Sequence, residues 1–148
     1  GVGLAGLSSS LAGSETTVLS DLGQVEEGQE AISVAHLPLE EQPALLLTNL
    51  LHNIAVNGLA ERCEVRRVDW NQLDGGEEKF KVVIGSDLIY DRNDAPALAR
   101  AALAHTAEGG VFYLMNKRGR EGLKEVLDLL RDHGQVSEEK LTLHSKGL

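Results

Sequence analysis

The sequence is poor in cysteine and in aromatic residues. Cys63 is its only cysteine, Trp70 is its only tryptophan, and aromatic residues make up 3% of the 148 positions. A single cysteine excludes an internal disulfide and a cysteine-ligated metal cluster, and it suits a reducing compartment. We therefore expect Cys63 to be a small core residue and the protein to be cytoplasmic, with an organelle left open.

Long hydrophobic runs and targeting signals are also missing. No apolar run approaches the roughly 20 residues that a membrane-spanning helix requires. Residues 1–12 lack the basic start and the cleavage site of a signal peptide. These absences argue against a membrane partner.

The whole chain carries a formal charge of −9. Lysine and arginine are absent from its first part. The first basic residue is Arg62, and every charged residue before it is acidic: Glu15, Asp21, Glu26, Glu27, Glu30, Glu40, Glu41 and Glu61. Such a surface repels a phosphate backbone, so nucleic acid is not an expected partner. It favours a protein partner, with a basic protein or peptide as the best match, unless it is a solvated face that only aids solubility.

Metal-binding patterns are lacking as well. No paired ligand spacing occurs among the histidines, which are His36, His52, His105, His133 and His144. We therefore expect no metal site. Short basic clusters occur at residues 66–67 and 117–120, and we expect them to be solvated faces or helix-terminal charges.

What the sequence does contain is an alternation of short apolar runs with longer helical patterns. Strands are predicted at residues 16–20, 63–68, 80–86, 111–115 and 136–144, and helices at 4–12, from Pro43 to a stop at Asn57–Gly58, at 93–104 and at 122–131. This order predicts a single α/β domain over residues 1–148, in which the strands at 63–68 and 80–86 form a parallel pair. Residues 22–39 show no clear period and are interpreted as an insertion or a mobile surface loop.

A glycine-rich motif opens the chain. Residues 1–6 form a G-x-G-x-x-G run, and Asp21 follows about 20 residues later at the end of the next predicted strand. Glycines let the backbone approach a ligand at a helix N-terminus, and the acid can accept both hydroxyls of a ribose. The pattern alone fits a nucleotide-type cofactor as well as a purely structural turn.

Two further motifs follow predicted strands. Asp69 and Trp70 come directly after the strand at 63–68, where the indole can stack on an adenine or pack as core. The strand at 80–86 delivers Asp87 and then Tyr90 to the same sheet edge. The structural alternative is that Asp87 caps a helix and Tyr90 is a half-buried core residue.

The setting I-G-S-D-L-I-Y-D around Asp87 and Tyr90 resembles the D-x-x-Y signature of the seven-β-strand protein lysine methyltransferases. Neighbouring segments are similar to that family too: G-V-G-L to the end of its E-x-G-x-G-x-G loop, V-L-S-D to its ribose-binding acid, and V-D-W to its adenine-side turn. The resemblance extends from Gly1 to about Arg120.

That resemblance implies a Rossmann-like, seven-stranded methyltransferase fold that uses S-adenosylmethionine to methylate a protein, on a lysine side chain. It assigns cofactor binding to Gly1, Gly3, Asp21, Asp69, Trp70 and Ser86. Within this set, Gly1 and Gly3 line the amino-acid end of the cofactor, Asp21 holds the ribose, and Asp69 with Trp70 borders the adenine. It assigns contact with the substrate nitrogen to Asp87 and Tyr90, which are then the catalytic residues.

The family's first strand and the acid before its glycines are absent from this sequence, so we expect a partial domain, truncated before Gly1 and with a closing strand after Leu148 also in question. Two alternatives therefore stay open beside the enzyme. One is an inactive methyltransferase-like scaffold or subunit of a larger assembly. The other is an NAD-dependent dehydrogenase with the same glycine pattern, although no residue set for hydride transfer is found.

Overall fold

The computed structural model of the protein describes residues 3–21 and 46–141. In chain order its elements are α1 (Leu4–Leu11), β1 (Thr17–Asp21), α2 (Leu46–Val56), β2 (Cys63–Arg67), β3 (Phe80–Ser86), α3 (Ala95–His105), β4 (Thr106–Met115) and α4 (Leu123–Arg131). A short 3-10 helix, Arg92–Asp94, leads into α3. Among these elements, no helix has both the length and the apolar character needed to cross a membrane.

The predicted helices and the first four predicted strands are confirmed within the described ranges. The strand at residues 80–86 has the predicted bounds, and α2 stops one residue before Asn57–Gly58, where Gly58 adopts a left-handed φ of 65°. The start of that helix at Pro43 and the interpretation of residues 22–39 lie outside the described residues.

The strands form two separate parallel pairs. β1 pairs with β2 from Thr17 opposite Cys63 to Asp21 opposite Arg67. β3 pairs with β4, and Ser86 lies opposite Met115 at the carboxyl end. Between the described strands of one pair and those of the other there is no hydrogen-bonded ladder.

The predicted pairing of the strand at 63–68 with the strand at 80–86 is therefore wrong. Parallel neighbours need a long crossover connection, usually a helix. The helices α2 and α3 provide such crossovers inside the two pairs, whereas the described chain between β2 and β3 contains a turn and no helix.

The predicted strand at 136–144 is also not found over residues 136–141, and its last three residues lie outside the described part. A strand persists only with a paired neighbour and a buried face. The described side chains here are mostly exposed, and Glu138 is instead held by Arg131 through a 2.8 Å ion pair.

The beginning of β4 is irregular. Its ladder with β3 shifts between Phe80, opposite Thr106, and Val82, opposite Val111, so the regular pairing begins where the sequence predicted the strand. α3 passes into β4 with no turn between His105 and Thr106. The hydroxyl of Thr106 donates to the carbonyl of Ala102 at 2.6 Å, which fixes this junction.

Each strand pair has its own apolar cluster. The first cluster lies between α1, α2 and β1 and is made of Leu7, Leu19, Leu50, Ile54 and Leu59, with Cys63 packed against it. The second lies where α3 and α4 begin and is made of Ile89, Ala95, Leu98 and Val126. The other face of the β3–β4 pair is 44% to 59% exposed at Val82, Ile84, Val111, Tyr113 and Met115.

Candidate acceptor and cofactor site

Asp87 occupies the carboxyl end of β3 in an unusual backbone conformation. Its φ is 50°, and no other residue of the described chain apart from glycines has a positive φ. Its amide donates to the carbonyl of Met115 at 2.8 Å, which ties the ends of β3 and β4 together. Aspartate is among the few residues that tolerate this region, and such strain clusters at functional sites.

The carboxylate of Asp87 is held by Arg120 from the segment after β4. The Nη2 atom of Arg120 donates to Oδ1 at 2.7 Å and to Oδ2 at 2.8 Å, and its Nε donates to Oδ1 at 3.2 Å. The hydrogen bonds to Asp87 raise the pKa of the Arg120 guanidinium. The Asp87 side chain still exposes 51% of its surface, so a further donor has room to approach it.

Tyr90 lies on the same side as this ion pair. The guanidinium carbon of Arg120 is 5.7 Å from the centre of the Tyr90 ring, within the range of a cation–π contact. Tyr90 is 75% exposed, so it is not the half-buried core residue of the structural alternative. Nor does Asp87 cap a helix: Asp91 caps the 3-10 helix, by accepting from the amide of Asn93 at 2.8 Å.

A cavity of about 360 Å³ opens beside Tyr90. Its other lining residues are Lys117, Arg118, Gly119, Arg120 and Glu121. The basic cluster at 117–120, expected to be solvated or helix-terminal, therefore lines a cavity, and its last member contacts Asp87. Its position directly after a predicted strand was the available signal, because ligands bind at the carboxyl edge of open α/β sheets.

Asn116 is a second residue of this edge that sequence reasoning missed. It follows β4 directly, and its side-chain Oδ1 and Nδ2 are buried without a hydrogen-bond partner among the described residues. A buried amide of this kind is uncommon in a folded protein. No motif in the sequence pointed to it.

Trp70 connects the two strand pairs. It follows β2, is partly buried, and packs against the second apolar cluster, which lies beyond the carboxyl ends of β3 and β4. This contact corresponds to the core role that was weighed against stacking on adenine. Beside it, the carboxylate of Asp69 accepts from the amide of Asn71 at 2.9 Å and shapes the turn. The contact links the segment after β2 to the apolar cluster beside the β3–β4 pair.

The glycine turn before α1 is closely packed. Gly3 has a φ of 76°, and a Cβ there would lie 2.6 Å from Cδ2 of both Leu19 and Leu50. The N-cap residue of α1 is Gly3, which has no side chain to cap the helix, so within the described residues no side-chain cap bonds its first amides. Gly1 lies outside the described residues.

Asp21 and Ser86 lie at strand ends. Asp21 is the last residue of β1, and its carbonyl accepts from the amide of Val68 at 3.1 Å. Ser86 is exposed at the end of β3. A tight glycine turn, an uncapped helix start and an acid on the next strand fit the amino-acid end and the ribose of S-adenosylmethionine.

This arrangement defines a class of protein. Parallel strands linked by helices, with the glycine turn and the carboxyl-edge acids, form a Rossmann-like methyltransferase fold. Residues 1–133 match the model of a family described as lysine methyltransferase, so the chain belongs to the lysine methyltransferase family. The search of curated proteins finds no match to the chain. Membership in this family supports an S-adenosylmethionine-dependent methyltransferase over the dehydrogenase alternative.

Proposed function

We propose that the protein transfers a methyl group from S-adenosylmethionine to a lysine side chain of another protein. The observation that carries this proposal is the position of Asp87. Its backbone is left-handed at the end of β3, and its carboxylate lies next to the exposed Tyr90. A strained acid beside an aromatic ring and a cavity is suited to orienting an amine.

The cofactor, when bound, supplies a methyl group already activated on a sulfonium. On the proposed assignment, Gly1 and Gly3 hold its amino-acid end and Asp21 its ribose. Asp69 and Trp70 border its adenine, Trp70 with the part of its indole that the second apolar cluster leaves exposed, and Ser86 is the last residue of the assignment. The turn that holds Gly3 is kept in place by Leu19 and Leu50, so the protein's own packing presets this part of the site.

The acceptor has to be neutral before it can react. A lysine with a pKa near 10.4 loses its proton at neutral pH at a cost of about 4 to 5 kcal/mol. The protein's task is then to align the amine, which is a matter of position more than of proton transfer. Asp87 accepts a hydrogen bond from the amine, and the ring of Tyr90 packs against the amine and its alkyl stem.

The partner follows from charge. The acidic chain before Arg62 supports a basic protein as the substrate, and a cytoplasmic setting remains our proposal from the single cysteine. No nucleic acid or membrane takes part in this scheme. The alternative function, a methyltransferase-like scaffold in a larger assembly, differs from it in one respect: the cofactor binds and no methyl group is transferred.

The test is radiolabelled methyl transfer to a panel of lysine-containing proteins, with cofactor affinity measured in parallel by calorimetry. Asp87→Asn keeps a residue that tolerates positive φ while removing the charge. We expect it to lower transfer at least tenfold and to change cofactor affinity by no more than a few-fold, the pattern of an interaction made at the reacting centre. Tyr90→Phe should lower transfer less.

Asp91→Asn is the matched control, because Asp91 is a neighbouring acid that caps the 3-10 helix. It should leave transfer near the unmodified level. Equal loss of transfer and cofactor binding in Asp87→Asn would give Asp87 a folding role instead. Normal cofactor binding without transfer to any protein would favour the scaffold, and binding of NAD in place of S-adenosylmethionine would overturn the proposal.

A further inference from the structure

Asp87, which is proposed to contact the acceptor amine, is not an isolated negative charge. Arg120 forms three short polar contacts with Asp87, through two of its nitrogens and to both carboxylate oxygens. An unpaired carboxylate would bind a lysine ammonium and stabilise the protonated form, which cannot accept a methyl group. The observed pair carries no net charge.

We propose that Arg120 is a positioning residue that keeps Asp87 charge-paired, so that the site selects the neutral form of the acceptor amine. This inference rests on the proposed function and adds to it the means by which a carboxylate orients an amine without holding its proton. The amine nitrogen must have a free lone pair to form the new C–N bond while the methyl–sulfur bond breaks and its electrons stay on sulfur. Its proton leaves to water beforehand.

Geometry supports arginine in this role. The planar guanidinium contacts both carboxylate oxygens at once, while its central carbon Cζ lies over the Tyr90 ring, 5.7 Å from the ring centre. Arg120 thus contacts both proposed acceptor residues; lysine, a compact point charge, can supply the positive charge but not the planar contact with both oxygens. Asp87 remains half exposed, and a carboxylate has enough lone pairs to accept from a further donor.

The other charged groups around the cavity point the same way. Lys117 and Arg118 line it from the same segment as Arg120, and Glu121 is the acid among the lining residues. From α4, Glu125 is paired with Arg92, so that acid is already neutralised. The residues that line the cavity are therefore cationic on balance even when the charge of Asp87 is counted with them, which disfavours a second, unpaired ammonium.

The test uses n-butylamine as a side-chain analogue of lysine, followed by the ¹³C NMR signal of the Asp87 carboxyl group, which does not exchange with water, from about pH 6 to about pH 11. The unmodified protein should bind it weakly at neutral pH and more tightly as the amine loses its proton near pH 10.4. Arg120→Gln should bind the ammonium form about tenfold more tightly at pH 7, equivalent to one pKa unit. Arg120→Lys should stay within about threefold of the unmodified protein, because it retains the charge.

Methyl transfer provides a second readout. In Arg120→Gln, KM and kcat should both fall at pH 7, and the rising limb of the pH profile should move about one unit higher, an effect that a merely structural role would not produce. Arg100→Gln, which removes an exposed cation of α3 that does not line the cavity, is the control and should leave the pH profile unchanged.

Tighter ammonium binding together with the shifted profile supports the inference. Equal or weaker butylammonium binding in Arg120→Gln overturns it, as does an absence of amine binding in both proteins at every pH. If the unmodified protein transfers methyl groups and the variant keeps its pH profile, the inference alone fails. If the unmodified protein binds cofactor and transfers none, the proposed function fails.

Discussion

The two strand pairs of this protein are built differently. The cofactor half, residues 3–21 and 46–67, is closed by large aliphatic side chains packed against a glycine turn. The acceptor half, residues 80–131, buries several small alanines along α3 and carries the Arg120–Asp87 ion pair at a strained turn. Both halves have an apolar cluster, but only the acceptor half adds an ion pair and a strained backbone at its proposed site. The difference predicts that substitutions in the two halves will fail in different ways.

The largest effect is expected in the cofactor half, at Leu50. This residue is 1% exposed, and its Cδ2 lies 2.6 Å from the position that a Cβ on Gly3 would take. Leu50→Ala should lower the free energy of unfolding by about 2 to 5 kcal/mol, through lost burial and a residual cavity. It should also weaken cofactor binding, because the glycine turn loses its support. Urea unfolding and calorimetry measure the two effects.

The neighbouring Leu51 is the matched control, since it lies on the same helix and is 44% exposed. Leu51→Ala should cost less than about 1 kcal/mol. A similar loss in both variants would remove the packing account of the cofactor half.

A smaller effect is expected in the acceptor half, at Gly122. Its φ is 88°, and a Cβ there would lie 2.7 Å from the Cα of Arg92 and 3.2 Å from Cγ2 of Ile89. Gly122→Ala should destabilise the fold by about 2 to 4 kcal/mol, from the left-handed conformation and the backbone collision together. It should also displace Arg120, lowering methyl transfer more than cofactor affinity.

Gly119 separates these two causes, because its φ is 79° and a Cβ there meets nothing within 4 Å. Gly119→Ala should cost about 1 to 2 kcal/mol, from the backbone alone. Thermal unfolding of both variants provides the comparison. Equal losses in the free energy of unfolding would show that the contact between residue 122 and the backbone of Arg92 is unimportant.

The smallest effect concerns acid stability and should be similar in the two halves. A hydrogen bond from Arg66 lowers the pKa of Glu64 in the cofactor half, and one from Lys124 lowers that of Asp128 in the acceptor half. Because the folded-state pKa of each carboxyl is below its unfolded value, the stabilisation is present above about pH 4.5 and is lost as pH falls through the folded value.

Removing either cation, in Arg66→Gln or in Lys124→Gln, should therefore flatten the loss of stability on acidification between about pH 5 and about pH 2. The pairs are exposed, so the change should be slight and should diminish in high salt. Urea midpoints across this pH range measure it. A large effect in one half alone would mean that its ion pairs are more important than their exposure suggests.

Sequence reasoning located the elements and the strand ends better than it located their partners. The bounds of β3 and the position of Asp87 after it followed from an apolar run that ends in a carboxylate. The partner of β2 did not follow, because pairing depends on which crossover returns the chain. The role of Arg120 did not follow either, since it contacts an acid 33 residues away and its cluster resembles any solvated basic run.

The direct passage of α3 into β4 has a mechanical consequence. A hinge requires residues whose backbone angles are free to change, and the amide and hydroxyl of Thr106 both donate to the carbonyl of Ala102. The helix and the strand are therefore expected to move as one rigid unit. Ala95 lies at the end of this unit that is near Asp87, and Gly110 lies near the opposite edge of the sheet. A substitution near Gly110 can therefore change the distances between Asp87 and its neighbours without altering any charged group at the site.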